Sequence, residues 1–221
     1  MKTVVFDLDG TLADTSGDLI AAANACFRGL GHGDMLDPEA DQLTAFHGGR
    51  AMLRLGFLRL SGEFGEADID AQFPHLLDYY DQNIDVFTVL YPGAIEAVKW
   101  LRAEKFALAI CTNKPEWLAE KLLTRLGVRG LFDSLIGADT LATRKPDVAP
   151  YRASVERAGG DVGRSLLIGD TETDVKTARA AGVPVVLVGF GPEGPEVARL
   201  QPDHLIENYG ELSGVITDLM P

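Results

Sequence analysis

The hydrophobic pattern changes period along the chain. Val4, Val5, Phe6 and Leu8 make an almost unbroken apolar run, the mark of a strand buried on both faces. From Leu19 the apolar positions move to helical spacing, through Ala23, Cys26, Phe27 and Leu30, and Gly31 stops the run. A second helical run carries Ala51, Leu53, Leu55, Leu58 and Leu60, entered through His47-Gly48-Gly49-Arg50. A third reads from Phe73 to Phe87, with Leu76, Leu77, Tyr80 and Ile84. No strand pattern falls between Thr15 and Val86, so this stretch predicts an all-helical block inserted after the first strand.

From Tyr91 strands and helices alternate. Pro92-Gly93 marks a turn before a helix with Ile95, Val98 and Leu101. Strands are expected from Phe106 to Cys111, at Leu135-Ile136, from Ser165 to Ile168, from Val185 to Val188 and from His204 to Ile206. Between them lie helices with Trp117, Leu118, Leu122 and Leu126, from Tyr151 to Ala158 and from Thr171 to Ala181, and a closing helix follows from Glu211. Such alternation predicts a parallel sheet covered on both faces. The expected fold is α/β: a Rossmann-like parallel-sheet core of residues 1–14 and 87–221, with a helical insert of residues 15–86.

The length of 221 residues suits one α/β domain carrying an insert. The net charge of −13 argues against nucleic acid or an anionic membrane as partner, because both attract basic surfaces. The same field disfavours an anionic substrate, so a phosphate site must be made locally positive by metal, lysine and backbone N–H groups. Two cysteines, Cys26 and Cys111, are too few for a disulfide scaffold and fit a reduced, cytoplasmic compartment. Asp7 and Asp9 interrupt the apolar run near the N-terminus, so no secretory signal is read there. No uncharged run approaches the roughly 18 residues of a membrane span.

Candidate chemistry collects where strands end. The first strand runs into Asp7 and Asp9, whose alternation would send both carboxylates to one face. Two acids in one small site need neutralising, and a hard divalent cation such as Mg2+ suits their oxygens. The second strand ends in Thr112 and Asn113, the fourth in Gly169, Asp170 and Asp174, and Lys145 precedes Pro146 in the loop after the third. In a parallel sheet these ends share one edge, where open α/β sheets bind ligands. Carboxylates for a metal, a nucleophile, a hydroxyl with amides, and a lysine are the groups phosphoryl transfer uses. Each has a plainer alternative. Thr112 and Asn113 could cap the helix that Pro115 starts, Thr171 and Asp174 could form a capping box, and Lys145 could be a solvated loop lysine. Trp100 and Trp117 sit on helical stripes and are expected in the core. Asp14 and Asp18 read as helix caps or surface acids, and Cys111 as a small buried strand residue.

Four signatures in order, Asp7-Leu8-Asp9-Gly10-Thr11-Leu12, Cys111-Thr112-Asn113-Lys114-Pro115, Lys145-Pro146 and Gly169-Asp170-Thr171-Glu172-Thr173-Asp174, carry a resemblance. The chain resembles the haloacid dehalogenase superfamily, and within it the phosphoglycolate phosphatase-like branch. Leu90-Tyr91-Pro92-Gly93 is similar to the segment by which such chains re-enter the core, and the helical insert matches the family's cap.

The resemblance implies a Mg2+-dependent phosphatase of a small phosphorylated metabolite, 2-phosphoglycolate being the first expectation. Asp7 would be phosphorylated. Asp9 would protonate the leaving oxygen and then activate water. Asp7, the Asp9 backbone carbonyl and Asp170 would hold Mg2+. Thr112 and the backbone of Asn113 would bind phosphate, Lys145 would neutralise charge, and Asp174 would orient Lys145 or the metal's surroundings. Gly49 and Arg50, in the loop with His47, and Lys114 are the candidates for substrate selection. A solvated helix entry is the alternative for Arg50. A phosphatase of sugar phosphates or nucleotides, a β-phosphoglucomutase-like mutase, and a catalytically silent binding module are the competing expectations. Oligomeric state is not readable.

Overall fold

The computed structural model describes residues 1–60 and 62–220. The chain divides into two units, one made of Met1–Ala13 with Leu90–Pro221 and the other of Asp14–Val89. It opens with β1 (Thr3–Phe6) and leaves the first unit through β2 (Ala13–Asp14). The second unit holds α1 (Ser16–Gly29), α2 (Gln42–Phe46), α3 (Gly49–Leu58) and α4 (Glu66–Gln82). The chain returns through β3 (Val89–Leu90), which pairs with β2. The first unit then continues with α5 (Ala94–Ala103), β4 (Ala107–Cys111), α6 (Glu116–Arg125) and β5 (Ser134–Ile136). It ends with α7 (Val148–Arg157), β6 (Ser165–Gly169), α8 (Glu172–Ala181), β7 (Val185–Val188), β8 (His204–Ile206) and α9 (Leu212–Leu219).

Six strands form a parallel sheet in the order β5-β4-β1-β6-β7-β8. β1 is central, with Thr3 opposite Ala107 on one side and Ser165 on the other. Every residue of β1, β4, β6 and β7 is buried, which explains their continuous apolar runs. The chain builds outward from β1 through β4 to β5, then crosses to β6 and builds the other way. The switch in direction puts a crevice at the carboxyl ends of β1 and β6. Val5, Ala109, Leu167 and Val185 pack with Tyr151 and Val155 of α7 into one core cluster. The Tyr151 hydroxyl meets Ser165 Oγ at 2.7 Å, so this buried phenol is satisfied.

Several elements depart from the pattern. α4 begins at Glu66, well before Phe73, and runs through Pro74. Proline removes an N–H from the helix ladder, but Pro74 and Asp70, one turn back, are both exposed, so water can serve the freed carbonyl. α2 has five residues, too few for a periodic signal. Trp117 is exposed at the start of α6, not buried in the core. Asp18 is neither cap nor surface acid: it is buried and accepts from the backbone N–H of Phe87 and Thr88 and from the Thr88 hydroxyl. Asp18 thereby ties α1 to the returning chain. Asp14 accepts from the N–H and hydroxyl of Ser16. Among the described residues no helix is long and apolar enough to cross a membrane.

Within the helical unit Phe27 of α1 meets Phe57 of α3 edge-on at 5.2 Å. Gly56 is buried beside them, and a Cβ there would fall 2.2 Å from the Phe27 ring. Ala in place of an interior helical Gly ordinarily gains about 1 kcal/mol. Here overpacking against the fully buried Phe27 ring costs roughly 1–3 kcal/mol. Gly56→Ala should therefore lower the urea midpoint of unfolding, whereas a raised midpoint would show that Phe27 yields freely.

Candidate active site

β1 ends at Phe6, and Asp7 extends its ladder by one bond, N–H to the Ile168 carbonyl at 2.9 Å. The chain then turns sharply. The Leu8 carbonyl accepts from the N–H groups of Leu12 and Ala13 at 3.0 and 3.2 Å, and Gly10 adopts a positive φ of 79° that L-residues avoid. Asp9 therefore lies in a turn, and strand alternation does not set its direction. The Asp7 carboxylate accepts from the Leu8 N–H through Oδ1 at 2.7 Å and meets Lys145 Nζ through Oδ2 at 2.9 Å.

Asp170 follows β6. Its Oδ1 accepts from the Thr11 hydroxyl at 2.7 Å, and the Thr11 carbonyl accepts from the buried Tyr209 hydroxyl at 2.7 Å. Asp174 performs two of the roles left open by its sequence context. Its Oδ2 closes a capping box, accepting from the Thr171 hydroxyl at 2.7 Å and the Thr171 N–H at 3.1 Å. Its Oδ1 accepts from Lys145 Nζ at 2.6 Å. Lys145 is thus no solvated loop residue: its ammonium is buried between Asp7 and Asp174. The loop that carries it is held by Asn113, whose Nδ2 donates to the Lys145 carbonyl at 3.0 Å.

Thr112 and Asn113 do not cap α6. Pro115 stands at the N-cap position and the Glu116 N–H is taken by Asp139 at 2.7 Å. Thr112 is buried, and its hydroxyl accepts from the Lys114 N–H at 3.2 Å, while Asn113 is exposed. The Lys114 side chain reaches across to Asp9, Nζ to Oδ1 at 2.8 Å. In the helical unit Arg50 is half-exposed and pairs with Glu66 at 3.0 Å and Asp70 at 2.7 Å, lying over the Phe73 ring. A Cβ on Gly49 would come within 3.0 Å of Leu76, so this glycine serves the packing of α3 on α4. His47 is exposed. Cys111 is no nucleophile, because burial pushes its thiol up to about 12.

The electrostatics call for a cation. Asp7, Asp170 and Asp174 each offer an oxygen within 4.8 Å of the others, all three residues buried. Lys145 supplies a single positive charge among them. Burial lifts Asp7 to about 6 against the opposing pull of Lys145. Asp170 is held well above the ordinary carboxylate range, first by burial and then by the charges of Asp174 and Asp7. Burial works against the charged form of Lys145 too, but Asp174 and Asp7 outweigh it and its pKa is raised. Asp7 and Asp174 each have both oxygens engaged, whereas no described residue donates to Asp170 Oδ2. Hard oxygen donors with excess negative charge are the donor set of a divalent metal, and this cluster fits one. Thr11 belongs to the first signature but carried no role of its own there, and nothing in the sequence marked Tyr209.

Residues 4–188 match the haloacid dehalogenase-like hydrolase family. The chain belongs to that family. It is 36% identical over 209 residues to the phosphoglycolate phosphatase of Agrobacterium fabrum, covering 95% of this chain and 89% of the relative. It is 37% identical over 212 residues to the phosphoglycolate phosphatase of Mesorhizobium japonicum, covering 95% and 92%. Among solved structures, a predicted phosphoglycolate phosphatase from Haemophilus somnus 129pt superposes with a TM-score of 0.86 at 24% identity, covering 97% of both chains. CbbY from Rhodobacter sphaeroides, in complex with phosphate, gives 0.78 at 22% identity, covering 96% of both. At these identities the two structures speak for the fold.

Gly169 is the hinge of this arrangement. A Cβ there would lie 2.3 Å from Asp174 Cγ, so alanine must displace the side chain that holds both Lys145 and the start of α8. Gly169→Ala should lower thermal stability by more than the roughly 1 kcal/mol of a lost helix cap, read by thermal unfolding. A smaller loss would mean that Asp174 moves without releasing Lys145.

Proposed function

We propose that this hydrolase is a Mg2+-dependent phosphatase acting on 2-phosphoglycolate through a phosphorylated Asp7. The observation that carries the reading is the buried ammonium of Lys145 between Asp7 and Asp174, beside Asp170. The substrate comes from the two relatives at 36% and 37% identity, both phosphoglycolate phosphatases.

Asp7 sits at the end of the central strand with one oxygen fixed by the Leu8 N–H and the other by Lys145, which aims the carboxylate. It attacks phosphorus, the phosphorus–oxygen bond to glycolate breaks, and an aspartyl-phosphate forms. Asp9 gives a proton to the departing alkoxide. In the second half Asp9 takes a proton from water, which attacks phosphorus, frees Asp7 and releases phosphate. Lys145 balances the charge of Asp7 and of the phosphoryl oxygens throughout. Thr112, through its hydroxyl, and Asn113, through its backbone N–H, take phosphate oxygens. The carboxylates of Asp7 and Asp170, with the backbone carbonyl of Asp9, would hold Mg2+, and the bound ion would supply positive charge against the phosphate. Asp174 keeps Lys145 in place. The helical unit is the cap in this reading. Arg50 is already paired with Glu66 and Asp70, so these two acids compete with a substrate carboxylate for its guanidinium.

Release of phosphate from 2-phosphoglycolate should require Mg2+, stop with a chelator and fall at least ~1,000-fold in Asp7→Asn. Turnover that survives Asp7→Asn would end the covalent mechanism. A panel of sugar phosphates and nucleotides, compared by kcat/KM, tests the substrate, and a better sugar phosphate would displace 2-phosphoglycolate.

Cation binding gives a second check. A raised Asp7 pKa means that the folded protein holds its proton more tightly than the unfolded chain does. In metal-free protein this group therefore adds stability as pH falls from above 6 toward the unfolded value of 3.8. Mg2+ competes with that proton, so it should raise the melting temperature at pH 7.5 and raise it less at pH 5. An equal rise at both pH values would take Asp7 out of the metal site.

A further inference from the structure

We infer that Lys114 is a positioning residue for Asp9, and that it orients the group which hands a proton to the leaving oxygen. This deepens the phosphatase reading above and rests on it. The Lys114 side chain is 3% exposed and that of Asp9 is 19% exposed. Their contact of 2.8 Å joins residues 105 positions apart in sequence, so no local geometry enforces it. Burying a lysine costs heavily unless its charge is met, and such a side chain seldom stays buried without a fixed partner.

The backbone makes this reach possible. Lys114 begins at the carboxyl end of β4, beside β1 in the sheet. Its own N–H is turned onto the Thr112 hydroxyl. The Lys114 carbonyl accepts from the Ala138 N–H at 2.9 Å, and a Cβ on Gly137 would lie 2.8 Å from that carbonyl oxygen. The base of the side chain is therefore anchored on both sides, and its far end is fixed on Asp9.

Asp9 needs such an anchor. It stands past the end of β1 and outside the six-stranded sheet, in a tight return to Ala13 beside Gly10, whose φ is positive. An acid that must meet an alkoxide within hydrogen-bond reach works only when held in that direction. Lys114 fixes Oδ1. A cation near a phosphatase site could instead bind a carboxylate on the substrate, and the two roles predict different losses.

The test compares wild type, Lys114→Met and Lys114→Arg by kcat/KM on 2-phosphoglycolate, ethyl phosphate and p-nitrophenyl phosphate. This ratio reports the steps through departure of the leaving group. Ethyl phosphate and 2-phosphoglycolate both release an alkoxide that needs a proton, while p-nitrophenolate leaves without one. Lys114→Met should lose roughly 10- to 100-fold on both alkyl esters, with a loss on p-nitrophenyl phosphate at least tenfold smaller. Lys114→Arg, which keeps the charge, should recover part of the alkyl activity.

Loss confined to 2-phosphoglycolate would overturn the proposal in favour of a substrate-carboxylate clamp. Equal loss on all three esters would overturn it in favour of a general structural or phosphate-binding role. Wild-type protein lacking Asp7-dependent turnover on every ester would remove the phosphatase reading itself, and the proposal with it. Matching thermal unfolding of the three proteins separates misfolding from mispositioning.

Discussion

One buried ammonium holds the polar centre of the parallel-sheet unit together. Lys145 Nζ lies 2.9 Å from Asp7 and 2.6 Å from Asp174, and its side chain is almost wholly shielded from water. Removing one partner from a buried ion pair strands the other and is far costlier than losing an exposed bridge. The arrangement therefore constrains three separate loops at once, those after β1, before α7 and after β6. Nothing local specifies it, since the three residues come from distant parts of the chain. The surrounding structure serves it: Asn113 pins the backbone of Lys145, Gly169 leaves room for Asp174, and the capping box fixes the start of α8.

The centre is stable in this form yet electrostatically incomplete. Three carboxylates face a single ammonium, and burial has already pushed Asp7 and Asp170 toward their protonated forms. Protons and a divalent cation are two answers to the same excess of negative charge. A phosphate ester brings more negative charge into the crevice, so the protein's overall acidity of −13 has to be offset locally. Lys145 supplies positive charge beside the carboxyl ends of β1 and β6, where the strand order of the parallel sheet reverses.

The sequence made much of this legible, and the reasons follow from the physics of each signal. β1, β4, β6 and β7 announced themselves because a strand covered on both faces must be apolar throughout, and their polar endings stood out by contrast. Asp7, Lys145, Asp170 and Asp174 were readable as strand-end groups, although spacing alone could not say whether Asp174 capped a helix or held a lysine. The helical unit was harder. α2 is shorter than two turns, and Pro74 disguised the first half of α4. Contacts that depend on tertiary reach left no trace: Asp18 on Thr88, Tyr209 on Thr11 and Lys114 on Asp9. Arg50 shows a different limit. An arginine beside two glycines reads as a ligand clamp, but spacing gave no sign of the two acids of its own unit that pair with it.

The placement of β1 has a consequence for how the protein is made. Of the six strands of this sheet, the earliest in the chain lies in the middle, and its neighbours are residues 107–110 and 165–168. One edge of β1 thus stays unpaired until residues 107–110 have been made, and the other until residues 165–168 follow. The helical unit, built from contacts within residues 14–89, faces no such delay. Assembly of the surroundings of Asp7 is a late event in biosynthesis, and its pace is set by closure of a very long loop.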